Sequence, residues 1–320
     1  MRISRTALSI GLAVAVSLPL MGSASAAASL TTESSGSLGE DKLLVSERTS
    51  DHRRTVEMDP ASGAATHTVA DGLDGVYSPS GSQTAYIRYG DTCVPQAEGC
   101  TYRPDLVTAS ASGANQHVLV PGIESETGEF YVANPDWAPS GKRLVFDSPR
   151  GIESINADGT GLETLTTSGL RATFSPDGSR IAYLRTTSYE GPEGTEYGTD
   201  VYVMDLATRE SRQVTTDHQA VSTPPDWSPD GRHLVYGGRY GLKTADVATG
   251  EQTDLYDDAT WPGALTDVRT PVYSPDGTRI AFSGWDDATA TRRIYMVDAD
   301  GSHLRTVAET GGTLTDWIDK

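Results

Sequence analysis

Trp227-Ser228-Pro229-Asp230-Gly231 decides the fold, because it is one of five copies of a single pattern. The others are Tyr77-Ser78-Pro79-Ser80-Gly81, Trp137-Ala138-Pro139-Ser140-Gly141, Phe174-Ser175-Pro176-Asp177-Gly178 and Tyr273-Ser274-Pro275-Asp276-Gly277. Serine suits the first position of a type I turn and proline fixes φ at the second. Aspartate fits the third, and glycine accepts the conformation that starts the return strand. Short apolar runs follow, as in Ile181-Ala182-Tyr183-Leu184, Leu234-Val235-Tyr236 and Ile280-Ala281-Phe282. Strand-like runs on both sides of such a turn make a β-hairpin.

A second hairpin follows the first. Val201-Tyr202-Val203-Met204-Asp205 leads to Arg212-Gln213-Val214-Thr215, and Ile294-Tyr295-Met296-Val297-Asp298 leads to Leu304-Arg305-Thr306-Val307. Each unit therefore has four strands, A to D, and a four-stranded unit repeated around an axis is a propeller blade. Lys42-Leu43-Leu44-Val45 reads as a strand B with no turn before it. Leu314-Thr315-Asp316-Trp317 reads as a strand A with no hairpin after it, so the C-terminus completes the first blade. The six strand A aromatics are Tyr77, Trp137, Phe174, Trp227, Tyr273 and Trp317, at spacings of 60, 37, 53, 46 and 44 residues. The fold class is all-β: a six-bladed propeller of antiparallel four-stranded blades over residues 41–320, closed by the last strand. Closure removes the open sheet edge.

The Trp-Ser-Pro-Asp-Gly hairpin followed by Ile-Tyr-Met-Val-Asp resembles the TolB-like β-propeller repeat, over roughly residues 41 to 320. The resemblance implies six blades with strand A nearest the channel. TolB itself carries an α/β domain before its propeller, and the sequence reading expects none here. Similar propellers precede hydrolase domains in prolyl peptidases, but no Gly-x-Ser-x-Gly occurs in this sequence.

The first 28 residues read as a signal peptide. Arg2 and Arg5 precede an apolar core from Leu8 to Leu20, and Ala24-Ser25-Ala26 or Ala26-Ala27-Ala28 offers a cleavage site. That core is short for a membrane span. Residues 29–40 read as a disordered linker. The expected location is secreted, extracellular or in the cell envelope. Net charge is −19, and loss of the two leader arginines would take it to −21. Such a field repels phosphate backbones, so nucleic acid is not an expected partner. Cys93 and Cys100 are the only cysteines. In an oxidising compartment they are expected to pair, stabilising by about 2.5 kcal/mol before strain. Zinc is the alternative, without a nearby histidine or third cysteine to support it.

Every strong motif is explained by folding, so no cofactor, metal or catalytic set is assigned. Asp-Gly turns such as Asp298-Ala299-Asp300-Gly301 lack the further acids of a calcium loop and read as turn chemistry. Asp136, Asp226 and Asp316 each precede a tryptophan and read as fixing blade edges. The six histidines, His52, His67, His117, His218, His233 and His303, show no metal-ligand spacing.

The A–B and C–D turns, on one face, are short and stereotyped. The B–C loops and D–A connections, on the other, hold the insertions: Gly90 to Tyr102, Pro121 to Tyr131, Ser188 to Thr199 and Asp257 to Asp267. Variable loops on a rigid scaffold are where binding resides. Expected ligand anchors are Tyr131, Trp261 and Trp285, with Arg171 and Arg269 near the channel mouth available to an anion. The expected function is a monomeric binding or scaffold module that takes an unknown protein, peptide or glycan on this face. An extracellular glycan lyase or hydrolase is the alternative, and an envelope partner of TolB type a third.

Overall fold

The computed structural model describes residues 41–319 apart from 50–51, 97–98, 192–193, 221–222, 239–240, 256–264 and 310. The expected signal peptide and linker lie outside the described residues. So does Trp261, and so do the side chains of Cys93 and Cys100. The backbone register sets Cys93 opposite Tyr102 and Cys100 opposite Pro95.

Six four-stranded antiparallel sheets form the propeller. Blade I takes strands B to D from Asp41–Arg48, Arg53–Met58 and Ala65–Ala70, and its strand A from Thr313–Asp319 at the far end of the chain. Leu43 pairs with Trp317 and Val45 with Leu314. Blades II to VI follow in order, with strands A at Leu73–Tyr77, Ala133–Trp137, Leu170–Phe174, Asp226–Trp227 and Leu265–Tyr273.

The apolar runs are continuous because each blade is covered on both faces. In strand B of blade IV, Ile181 and Tyr183 pack toward blade III with Val145 and Ile152. Ala182 and Leu184 pack toward blade V with Trp227, Leu234 and Tyr236. Successive residues point to opposite faces, so a run with no polar member feeds two interfaces. The core therefore lies between blades, and a blade alone could not bury its faces.

The A–B turns have the expected chemistry. In blade IV the Gly178 N–H donates to the Ser175 carbonyl at 2.8 Å, and Ser179 N–H to Asp177 Oδ1 at 3.0 Å. Gly178 has φ +70°, and a Cβ there would lie 3.5 Å from Pro139 in the preceding turn. At Gly277 the corresponding approach, to Pro229, is 3.2 Å. The proline of one turn thus packs on the glycine of the next.

Two of the insertions are not loops. Gly90 to Tyr102 and Ser188 to Thr199 largely continue their strands, giving arms at Gln83–Gln96 with Gly99–Ser110 and Arg180–Gly191 with Gly194–Asp205. Inter-strand pairing can continue past the blade, so a long B–C connection became a β-arm. Pro121 to Tyr131 contains a small hairpin, Ile123–Glu124 with Phe130–Tyr131. Trp285 lies inside strand B of blade VI, Arg279–Asp286, opposite Thr266 and Arg292, rather than in a connection.

Candidate functional site

Strand A lines the channel, and its lower part is built for holding blades together. Asp136 Oδ2 accepts the Phe174 N–H at 2.7 Å, Asp226 Oδ2 the Tyr273 N–H at 2.8 Å and Asp316 Oδ2 the Tyr77 N–H at 3.2 Å. Each aspartate belongs to an odd-numbered blade and clips the next strand A. Even-numbered blades have Val76, Thr173 and Val272 at the same position. The ring is thus a threefold repeat of blade pairs. Enclosure by protein raises all three carboxyls, Asp136 to about 8, Asp226 to about 7 and Asp316 to about 6. For Asp136 the other two aspartates add to the rise.

The upper part of strand A departs from the repeat. Three residues before the aromatic, Asp74, Asn134, Arg171 and Thr270 all have positive φ, at 54°, 50°, 64° and 46°. Each lies at a register shift in the pairing of strands A and B. A bulge re-aims the side chain it carries. Left-handed backbone in a non-glycine residue costs about 1 kcal/mol or more. Pro224 and Leu314 hold this position in blades V and I without it.

The four bulge residues line one cavity of about 180 Å³ at the mouth of the channel. Arg269, Thr223 and Thr313 also line it. A second cavity of about 220 Å³ continues toward the A–B turns and shares Asp136, Thr173 and Thr315 with the first. Around the mouth, Asp147 of blade III accepts the Arg171 backbone N–H at 2.8 Å and Asn134 Nδ2 at 2.8 Å. Arg171 Nη1 donates to Asn134 Oδ1. Tyr131 donates its hydroxyl to Asp147 at 3.4 Å. Asp147 is 1% exposed, and burial raises it to about 6. Burial likewise raises Asp74, against the pull of the Arg171 charge.

Three of the cavity's polar atoms are buried and have no hydrogen-bond partner among the described residues: Arg171 Nε, Thr223 Oγ1 and Thr270 Oγ1. Orphaned buried polar groups are uncommon, and three on one cavity form a set of donors awaiting an acceptor.

The structure thus places Arg171, Arg269 and Tyr131 around one mouth. Arg269 is paired with Asp267 at 2.7 Å, and Tyr131 is 37% exposed. Trp285 is partly buried in its strand and does not line this cavity. Asp74, Asn134, Thr223 and Thr270 were missed by sequence reasoning. Their position relative to the repeat aromatic was available, but nothing local marks a bulge in Leu73-Asp74-Gly75-Val76 or Arg269-Thr270-Pro271-Val272. A second cluster also went unseen. His218 Nδ1 meets the buried Asp200 Oδ2 at 2.6 Å, and Tyr189 stacks on the imidazole at 4.0 Å. Asp200 also accepts the His218 backbone N–H, so the pair fixes a D–A connection to a strand. Among the described residues no group of three or more His, Cys, Asp or Glu is placed to hold a metal ion.

A search against protein-family models finds no match. A curated relative, the Tol-Pal system protein TolB of Alcanivorax borkumensis, is 33% identical over 91 residues, 28% of this chain and 19% of its own. An uncharacterised Agrobacterium fabrum protein is 26% identical over 205 residues, 60% of this chain and 62% of its own. The chain thus spans less than two thirds of the length of either relative. The solved structure of a putative TolB from Agrobacterium tumefaciens superposes with a TM-score of 0.55 at 17% identity, covering 86% of this chain and 91% of that one. The fold is that of a TolB-like six-bladed propeller. A shared fold does not carry a shared function, so function has to be argued from the residues of the site itself. No helix among the described residues is long and apolar enough to cross a membrane.

Proposed function

We propose that this propeller is an exported binding module whose ligand docks on the B–C and D–A face, over the channel mouth. The observation that carries this is the set of four bulged residues with left-handed backbone, all on one cavity. Two blades build the same strand without that strain, so the fold does not require it, and four such residues gathered on one concave site point to function. The arms of blades II and IV rise on the same face and present Tyr102 and Tyr197, 40% and 75% exposed. Exposed tyrosines on such arms suit contact with a protein, peptide or glycan.

Export, by way of residues 1–28, and a Cys93–Cys100 disulfide on the blade II arm belong to this reading. Two free thiols in the unreduced secreted protein would remove the disulfide from it. Binding itself is tested by calorimetric screening of peptide and oligosaccharide panels against the wild type and an Asn134→Ala, Thr223→Ala variant. The expected result is one or more ligands lost in that variant and kept in an Asp230→Ala variant of the opposite face. Turnover of any panel member would instead support the lyase or hydrolase reading.

A further inference from the structure

We propose that the mouth cavity is a carboxylate site, in which Arg171 binds the anion and the Thr223 and Thr270 hydroxyls donate to it. The inference rests on the reading that ligand docks at the mouth, and it names the group recognised there.

Arg171 differs from most arginines in this acidic chain. Arg143 and Arg209 meet Glu163, Arg150 meets Glu153, Arg279 meets Asp41, and Arg292 meets Asp267. Arg171 has no carboxylate within ion-pair distance among the described residues. Its side chain donates to the neutral Asn134 carbonyl and leaves Nε buried without a partner. Guanidinium has five N–H donors in a planar fork, a shape that matches carboxylate oxygens two at a time.

The hydroxyls converge from other sides. Arg171 comes from blade IV, Thr223 from the connection into blade V and Thr270 from blade VI. Thr223 is 8% exposed, and both hydroxyls lack a partner among the described residues. The two hydroxyls and one N–H that would be left buried and unpaired in an empty site cost free energy that an acceptor removes.

Charge selects the kind of acceptor. The cavity has one unpaired guanidinium, while Asp74 and Asp136 also line it and Asp147 stands beside Arg171. A dianion such as a phosphate monoester would meet that negative surround with only one compensating charge. A single carboxylate balances Arg171 alone. A cation is disfavoured because the nearest carboxylates already accept backbone N–H groups, Asp136 from Phe174 and Asp147 from Arg171.

Three probes of matched shape test the proposal on the full chain by calorimetry: benzoate, benzamide and phenyl phosphate. Benzoate is expected to bind at least about tenfold tighter than either of the others. Arg171→Asn, which tolerates left-handed backbone, should abolish that preference with little change in melting temperature. Thr223→Val, nearly isosteric, should weaken benzoate severalfold and serves if the arginine variant fails to fold. Equal binding of benzoate and benzamide, weakened alike by Thr223→Val, overturns the carboxylate and leaves the mouth as the site. Tightest binding by phenyl phosphate also overturns it. Binding insensitive to both substitutions overturns the carboxylate and the mouth together. No binding of any probe at millimolar concentration overturns the carboxylate proposal.

Discussion

The two ends of the channel are built from the same strands and obey different rules. At the turn end, five near-identical hairpins stack proline on glycine, and three aspartates clip alternate blades by one hydrogen bond each. At the mouth, four strands carry a residue with left-handed backbone, these residues differ from blade to blade, and buried donors lack partners among the described residues. Sequence repetition follows what every blade must do, which is to turn and to pack. Departure from repetition follows what the ring as a whole does once, at one place.

Changes at the repeat end should have the largest effect on stability. Deleting residues 313–320 removes blade I's inner strand with the buried Leu314 and Trp317. Large core truncations of one such residue cost about 3–5 kcal/mol, and here two exposed sheet edges are added. The expected outcome is a chain that unfolds at ambient temperature or associates in size-exclusion chromatography. A monomer melting like the wild type would break the closure argument. Smaller, and still at this end, Gly277→Ala places a Cβ at φ +71° against Pro229. It should cost about 1–2 kcal/mol in denaturant unfolding.

The clips give the channel a pH dependence. Asp136, Asp226 and Asp316 have folded-state pKa values of about 8, 7 and 6, above the ordinary 3.8. The folded protein therefore holds protons that the unfolded chain has released. Their contribution is complete below about pH 4 and is lost progressively as pH rises from about 4 to about 8. Stability should fall across that window, and Asp136→Asn should flatten the upper part of the fall. A melting temperature that rises steadily from pH 5 to pH 8 would contradict the sign.

At the mouth, substitutions should move binding and leave stability nearly unchanged. Arg171→Asn should shift unfolding by less than about 0.5 kcal/mol. Tyr131→Phe, which removes only a long hydrogen bond to Asp147, should do less still. A loss of several kcal/mol from Arg171→Asn would make it a packing residue and erase the contrast between the two ends.

The legible part of the sequence was what the chain says more than once. Trp137, Trp227 and Trp317 each follow an aspartate, and that repetition was enough to read Asp136, Asp226 and Asp316 as fixing blade edges. The closing strand was legible because Leu314-Thr315-Asp316-Trp317 copies the others. Asn134 and Thr270 were not, because a bulge depends on the register of a partner strand far along the chain. The arms read as loops because a polar hairpin beyond the blade has no buried face to pattern it, as Thr186 to Thr199 illustrates. Arg171 reads from the sequence as lying near the channel mouth, and its unpaired Nε is seen only in the packing around it.

The most direct measurement is a map of backbone amide shifts during titration of the isotopically labelled chain with benzoate. The account predicts shifts centred on Asn134, Arg171, Thr223 and Thr270, with the five Pro-Asp-Gly or Pro-Ser-Gly turns unmoved. Shifts centred on those turns, with the mouth silent, would contradict it.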